Sequence, residues 1–212
     1  MKLTIVYDNT TTRNDMRADW GFSCYIELAG RNILFDAGGD GAILLRNMDA
    51  ASIDPKSIDD IFISHSHFDH IGGLPAILDR NPFAVVHAPL HFLNLNAPNK
   101  VKLYEKPMEI YPGIYSTGEL EQIEQSLAIK MEQGLLLIAG CSHPDMSAII
   151  GAARTFGEIF GIIGGLHGFR NFHLFDDFQL ICPTHCTQHK DEIHRLFPGA
   201  YIEGGAGRII EL

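Results

Sequence analysis

Ile61-Phe62-Ile63-Ser64-His65-Ser66-His67-Phe68-Asp69-His70-Ile71-Gly72-Gly73 sets three imidazoles and a carboxylate within six residues, directly behind an apolar run. The run reads as a buried strand, Asp60–Ser64, that feeds into the cluster. Gly72-Gly73 then lets the backbone turn sharply before Leu74-Pro75-Ala76-Ile77-Leu78 starts a helix. Neutral imidazoles and a carboxylate suit zinc, manganese or iron. A loop this short can aim His65 and His67 at one ion while Asp69 and His70 reach a second. The plainer alternative is a histidine-rich solvated loop. Against it stand further histidines at the ends of apolar segments elsewhere in the chain.

Outward from this stretch, strands alternate with helices. On the N-terminal side come a strand Leu3–Tyr7, a polar loop Asp8–Asp19, and strands Phe22–Leu28 and Asn32–Phe35 joined by Ala29-Gly30-Arg31. Asp36-Ala37-Gly38-Gly39 ends that hairpin, Ala42–Met48 fits a helix, and a short helix surrounds Pro55–Ile58. On the C-terminal side a strand follows at Ala84–His87, and the polar, proline-bearing Asn94–Pro107 reads as a mobile loop. Gly113–Ser116 opens the second half. A hairpin of Leu127–Glu132 with Leu135–Ala139, a helix Met146–Thr155 and strands Ile159–Ile163 and Phe178–Ile181 come next. Thr187 is expected to cap a helix with Asp191 and Glu192 near its start and Pro198-Gly199 as its stop. Ala200–Ile202 and Arg208–Leu212 read as terminal strands. This alternation predicts two sheets packed face to face with helices on the outer sides. Each histidine motif falls where a strand ends, so one edge of the sheets should collect them.

A chain of 212 residues with no linker or charge block is expected to form one domain, residues 1–212. The net charge of −10, with no Lys/Arg-rich run, argues against a nucleic-acid partner. It does not exclude a small anionic substrate, because bound metal dominates the local field of a cleft. Four cysteines (Cys24, Cys141, Cys182, Cys186) are too few for a disulfide framework. The N-terminus reads as a strand and not as a signal peptide, and no apolar stretch approaches membrane-spanning length. Together these point to the cytoplasm and to no membrane partner.

The order His-x-His-x-Asp-His after a strand, followed by lone histidines, resembles the metallo-β-lactamase superfamily of metal-dependent hydrolases over essentially the whole chain. Asp36 matches the family's aspartate after an early strand, and His65, His67, Asp69 and His70 match its main motif. His143 in Gly140-Cys-Ser-His-Pro144 matches the third motif, and His185 in Cys182-Pro-Thr-His-Cys186 the last. The resemblance implies an α/β fold of the four-layer αββα type. It implies two divalent ions, zinc with manganese or iron as alternatives, one held by His65, His67 and His143 and the other by Asp69, His70 and His185. Two such ions about 3.5–4 Å apart share a water, present hydroxide near neutral pH and stabilise the oxyanion. Asp69 would then be both ligand and catalytic group. Asp36 would accept from a ring N–H of a ligating histidine and fix its tautomer.

Gly140–Pro144, Gly164-Gly-Leu-His-Gly168 and Thr184-His-Cys-Thr187 are also similar to a class II subgroup of metal-dependent hydrolases. That subgroup includes an archaeal dihydropterin ribofuranosylaminobenzene phosphate synthase. The expected activity is hydrolysis of a small, anionic, phosphate-bearing ester. Transfer of a dihydropterin methyl group onto a ribofuranosyl-aminobenzene phosphate is one alternative, and redox chemistry at iron another. A non-enzymatic metal-binding module is disfavoured because all six expected ligands are intact.

One departure has an electrostatic consequence. The family commonly places a bridging aspartate between the third and last histidine motifs, yet no Asp or Glu lies between Glu158 and Asp176. The position falls instead near His167, a candidate ligand or donor to substrate. A centre of two ions, one carboxylate and one hydroxide keeps a formal charge of about +2, against about +1 with a bridging carboxylate. Such a centre should attract anions more strongly. Arg170 is a candidate anion clamp. His87, His91, His173, His189 and His194 read as structural or surface residues, and Cys141, Cys182 and Cys186 as packing or supporting contacts.

Overall fold

The computed structural model describes residues 1–28, 30–92 and 100–212. Ala29 of the expected turn and residues 94–99 of the expected mobile loop lie outside them. Period-two alternation builds the layers. In β1 (Lys2–Tyr7), Leu3 and Ile5 enter a core between two sheets, while Val6 joins a second core on the opposite face. The strands β2 (Ser23–Leu28) and β3 (Arg31–Phe35) repeat the pattern, with Cys24, Ile26, Ile33 and Phe35 inward and Tyr25 and Leu34 outward. Three parallel neighbours, β4 (Asp60–Phe62), β5 (Val85–Pro89) and β6 (Val101–Tyr104), extend this sheet from β3.

The second sheet is an antiparallel run of β7 (Met108–Tyr111), β8 (Ile114–Ser116), β9 (Leu127–Met131) and β10 (Gly134–Ala139). Parallel strands β11 (Ile159–Gly165) and β12 (Leu180–Thr184) complete it. In β10, Leu136 and Ile138 face the central core, and Leu135 and Leu137 face the outer one. The C-terminal β13 (Ile209–Glu211) returns to pair with β1 of the first sheet.

Helices cover both outer faces, giving the expected αββα layers. Ile43, Leu44 and Met48 of α1 (Gly41–Ala50) pack on the first sheet. The single-turn α2 (Phe68–Ile71) follows the histidine cluster, and α3 (Leu74–Arg80) adds Leu74 and Ile77 to the same core. Met146, Ile149, Ile150 and Ala153 of α4 (Met146–Arg154) and Ile193 of α5 (Lys190–Leu196) cover the second sheet. Asp40 caps α1 by accepting from the amides of Ala42 and Ile43. Among the described residues no helix is long and apolar enough to cross a membrane.

Four local expectations need correction. The stretch expected as a mobile loop carries β6, and β7 begins directly after it. These are the edge strands of the two sheets, where half-exposed faces blur the alternation. The expected strand Phe178–Ile181 is displaced to Leu180–Thr184 and includes Pro183, which β12 tolerates because it too is an edge. Thr187 does not cap α5. Its Oγ1 donates to the Thr184 carbonyl and accepts from the Leu166 amide, and α5 begins after His189 with no side-chain cap. The expected strand Ala200–Ile202 reduces to one bridge, Tyr201 to Ile181.

Buried Asn47 on α1 ties the long loop after β1 to the body. Its Nδ2 donates to the Val6 carbonyl at 2.9 Å and the Arg17 carbonyl at 2.8 Å, and its Oδ1 accepts from the Arg17 amide at 2.8 Å. Asn47→Ala leaves three backbone groups without their partner and should cost about 2–4 kcal/mol. In urea unfolding the midpoint should drop with an unchanged slope.

Candidate metal centre

The strand directions decide where the chemistry collects. Because β3 and β4 are parallel, and β10, β11 and β12 are parallel, their carboxyl ends share an edge, where α/β sheets place their sites. Asp36 follows β3, the His65–His70 motif follows β4, Gly140–His143 follows β10, His167 follows β11 and His185 follows β12. Asp36, Ser142, His167 and His185 have φ values of 52°, 58°, 45° and 46°. Non-glycine residues in this left-handed region are concentrated where surrounding contacts enforce them, commonly at functional sites.

Two donor groups form. Ligand atoms of His65, His67 and His143 lie within 4.8 Å of one another, as do those of Asp69, His70 and His185. The rings of His65 and His70, 4.2 Å apart between centroids, join the groups. All six expected ligands therefore converge, and His167 joins them with its ring centroid 4.6 Å from that of His143.

Electrostatics keep four of these rings, His65, His143, His167 and His185, in the neutral form a metal needs, while at His70 burial is outweighed by the buried Asp36 carboxylate, which raises it. Burial, reinforced by the neighbouring imidazoles, drives His65 well below the ordinary histidine value and lowers His143 to about 4. Burial likewise lowers His167 and His185. Burial pushes the Asp69 carboxyl up, but the bond from His185 and the charge of His70 outweigh it, and the group falls below the ordinary carboxylate range. The buried Nε2 of His143 has no hydrogen-bond partner among the described residues. An orphaned imidazole nitrogen beside two other imidazoles fits a divalent cation.

Supporting contacts set the tautomers. The Asp36 Oδ2 accepts from His70 Nδ1 at 2.7 Å and from Ser64 Oγ at 2.6 Å, and its Oδ1 accepts from the Ser64 amide at 2.7 Å. Ser64 Oγ, its proton committed to Asp36, accepts from His65 Nδ1 at 2.9 Å, so the Nε2 atoms of His65 and His70 carry the ring lone pairs, the first facing His67 Nδ1 and the second Cys141 Sγ, each at 3.1 Å. Gly140 makes this possible, since a Cβ there would stand 2.1 Å from Ser64 Oγ. On the opposite side Asn9 Nδ2 donates to the His185 carbonyl, leaving Oδ1 to accept from His185 Nδ1 at 2.9 Å. His185 Nε2 then faces Asp69 Oδ2 at 3.1 Å.

Several participants carry no local sequence signal. Glu124, 1% exposed, accepts the amides of Gly140, Cys141 and Ser142 on Oε1 and that of His143 on Oε2, at 2.9–3.0 Å. Burial raises its carboxyl, and the amides of His143, Cys141 and Ser142 oppose the rise. Trp20 donates its indole N–H to Asp69 Oδ2 at 2.9 Å. Cys141 Sγ lies 3.1 Å from His70 Nε2. His91, read as a surface residue, pairs with Glu119 at 2.5 Å and lines a cavity of about 240 Å³ beside His67. Arg170, by contrast, donates to His189 Nε2 at 3.1 Å. His87 is structural, buried between Asp60 and Tyr104 at 2.7 Å from each.

Comparison with known proteins gives a consistent picture. The family model for the metallo-β-lactamase superfamily matches residues 21–154, which include Asp36, the main motif and His143 but not His167 or His185. The 7,8-dihydropterin-6-methyl-4-(β-D-ribofuranosyl)-aminobenzene-5′-phosphate synthase of Methanocaldococcus jannaschii is 27% identical, covering 94% of this chain and 95% of its own. The structure of Tm1679, a metal-dependent hydrolase of the β-lactamase superfamily, superposes with a TM-score of 0.82 at 23% identity over 100% of this chain and 99% of its own. Zinc-bound PqqB of Methylobacterium extorquens superposes with a TM-score of 0.70 at 12% identity over the full length of both chains. The two structures share the fold.

Glu124→Gln tests the anchoring of the third motif. The amide replaces one acceptor oxygen with a donor aimed at backbone N–H groups, and should cost about 2–4 kcal/mol in urea unfolding. Zinc affinity should fall by about 10–100-fold in titration. Unchanged affinity would remove Glu124 from the centre's support.

Proposed function

The chain belongs to the metallo-β-lactamase superfamily, and on that premise we propose that it is a metal-dependent hydrolase cleaving a small, anionic, phosphate-bearing ester at a two-ion centre. The observation that carries this reading is the convergence of two donor groups, His65/His67/His143 and Asp69/His70/His185, with their rings held neutral or fixed in tautomer. Zinc is the proposed ion, supported by the imidazole-rich donor set and by the zinc-bound PqqB fold relative. Ions bound there supply Lewis-acid polarisation of the scissile group and acidify a nucleophilic water.

The chain's own residues do the rest. Asp36 and Asn9 hold His70 and His185 so that each Nε2 faces the centre. Asp69, the one carboxylate in the donor groups among the described residues, accepts from the Trp20 indole on Oδ2, faces the His185 Nε2 lone pair at 3.1 Å and is placed to orient a water for attack. With a single carboxylate against two divalent ions the centre stays cationic, which supports an anionic substrate. The cavity beside His67 gives such a substrate room, and His167 is placed at the His143 side to ligate an ion or donate to substrate.

A second reading is transfer of a dihydropterin methyl group to a ribofuranosyl-aminobenzene phosphate, supported by the full-length likeness to the archaeal synthase. The half-exposed Trp20 indole beside Asp69 offers a flat face for a heteroaromatic ring. Zinc-loaded protein assayed on phosphomonoesters, phosphodiesters, lactones and thioesters, and on the dihydropterin pair, separates the two. Turnover confined to the dihydropterin pair would overturn the hydrolase reading.

Asp69→Asn preserves volume but removes that carboxylate, so turnover should fall by at least about 100-fold with the far-ultraviolet circular dichroism unchanged. Wild-type turnover at full metal content would refute the assignment. His167→Asp should tighten the second ion and raise the KM for an anionic ester, whereas His167→Ala should weaken metal or substrate binding. Metal stoichiometry and KM in both variants check this, and no movement in either quantity makes His167 an ordinary loop histidine.

A further inference from the structure

We infer that Cys141 is itself a ligand of this centre, its thiolate adjacent to both donor groups with Cys186 as the S–H donor to it. The inference rests on the two-ion reading above and assigns it a sulfur ligand outside the six-residue set.

Four observations carry it. Cys141 is 2% exposed, and its Sγ lies 3.1 Å from His70 Nε2. The same sulfur falls within 4.8 Å of ligand atoms on both sides: with His65 and His70, with His143 and His167, and with His185 and Cys186. Among the described residues no carboxylate of the centre shares so many neighbours, since Asp69 groups there with His70 and His185. The other two cysteines behave as core residues. Cys24 and Cys182 pack among Leu3, Ile5, Phe35 and Leu136 in the apolar layer between the sheets, whereas Cys141 and Cys186 face imidazoles and each other.

The backbone is arranged around this sulfur pair. Cys186 Sγ lies 3.3 Å from Cys141 Sγ, within reach to donate its S–H to a Cys141 thiolate. Gly165 leaves the necessary space, because a Cβ there would stand 2.7 Å from Cys186 Sγ and 3.3 Å from Cys141 Cα. Glu124 fixes the Cys141 amide at 2.9 Å, and the left-handed Ser142 turns the chain from the thiol to His143, so that one short loop supplies two donors.

The chemistry is a ligand exchange. The Cys141 S–H bond breaks, its proton passes to solvent, and the sulfur lone pair bonds the incoming divalent ion. Cys186 keeps its proton, and nothing is oxidised. The thiolate adds one negative charge, which lowers the formal charge of the two-ion centre to about +1 and still leaves it cationic toward an anionic substrate, and soft sulfur favours zinc over magnesium, calcium or manganese.

The test reads the metal and not turnover. X-ray absorption at the zinc edge of the wild-type chain, loaded under reductant, should show a zinc–sulfur distance of about 2.3 Å. This measurement requires no variant to fold. Cobalt-substituted protein should show a sulfur-to-cobalt charge-transfer band that persists in Cys186→Ser and vanishes in Cys141→Ser. The Cys141→Ser chain should also bind its second ion at least about tenfold more weakly. A shell of nitrogen and oxygen alone in the wild type, or a band that survives Cys141→Ser, overturns the thiolate and leaves the hydrolase reading standing. A chain that binds neither zinc nor cobalt overturns both.

Discussion

A carboxylate taken wholly out of water is tolerable only when its charge is met by nearby donors. Asp36, at 0% exposure, meets that condition with the Ser64 amide, the Ser64 hydroxyl and the His70 ring. These bonds reach across from the end of β3 to the loop after β4. They fix two imidazoles at once, His70 directly and His65 through Ser64. Without them the main motif would be a flexible string of histidines.

The device recurs. Each of the three loops that present the centre is pinned by one buried acid from a distant part of the chain. Asp36 holds the His65–His70 loop, Glu124 holds Gly140–His143, and Asp8 accepts the His185 amide at 3.1 Å. Burial raises Asp8, opposed by the charge of Lys190 and by the amides of His185 and Asn9. The sheets bring the strand ends to one edge, and the acids convert that proximity into fixed angles. The same acids make the loops mutually dependent, since each is held by a residue outside itself.

What could be read from the sequence follows from this division. The layers were legible because Leu3, Ile5, Leu136 and Ile138 alternate with residues of the outer cores, and a period of two needs no knowledge of partners. The convergence of the six residues was legible because the main motif is local and its later partners sit in short strings, Gly140–Pro144 and Cys182–Cys186, at the ends of apolar segments. Edge strands β6 and β7 were hidden by their exposed faces, and β12 by Pro183. Glu124, Asn9 and Trp20 were invisible for a different reason. Each acts on the centre through contacts across 16 residues or more, and nothing in its neighbours marks it. The cysteines were visible as letters, but their roles diverge only in space, two in apolar packing and two among imidazoles.

Trp20 is the chain's single tryptophan. Its indole N–H is bonded to Asp69, its ring lies 4.9 Å from that of His185, and it is 57% exposed. The intrinsic indole emission of the whole protein therefore originates at the mouth of the centre, with no second fluorophore of its kind to dilute it. A change in the charge or occupancy around Asp69 is written directly into the wavelength and intensity of that emission, so the protein carries its own optical gauge of what enters.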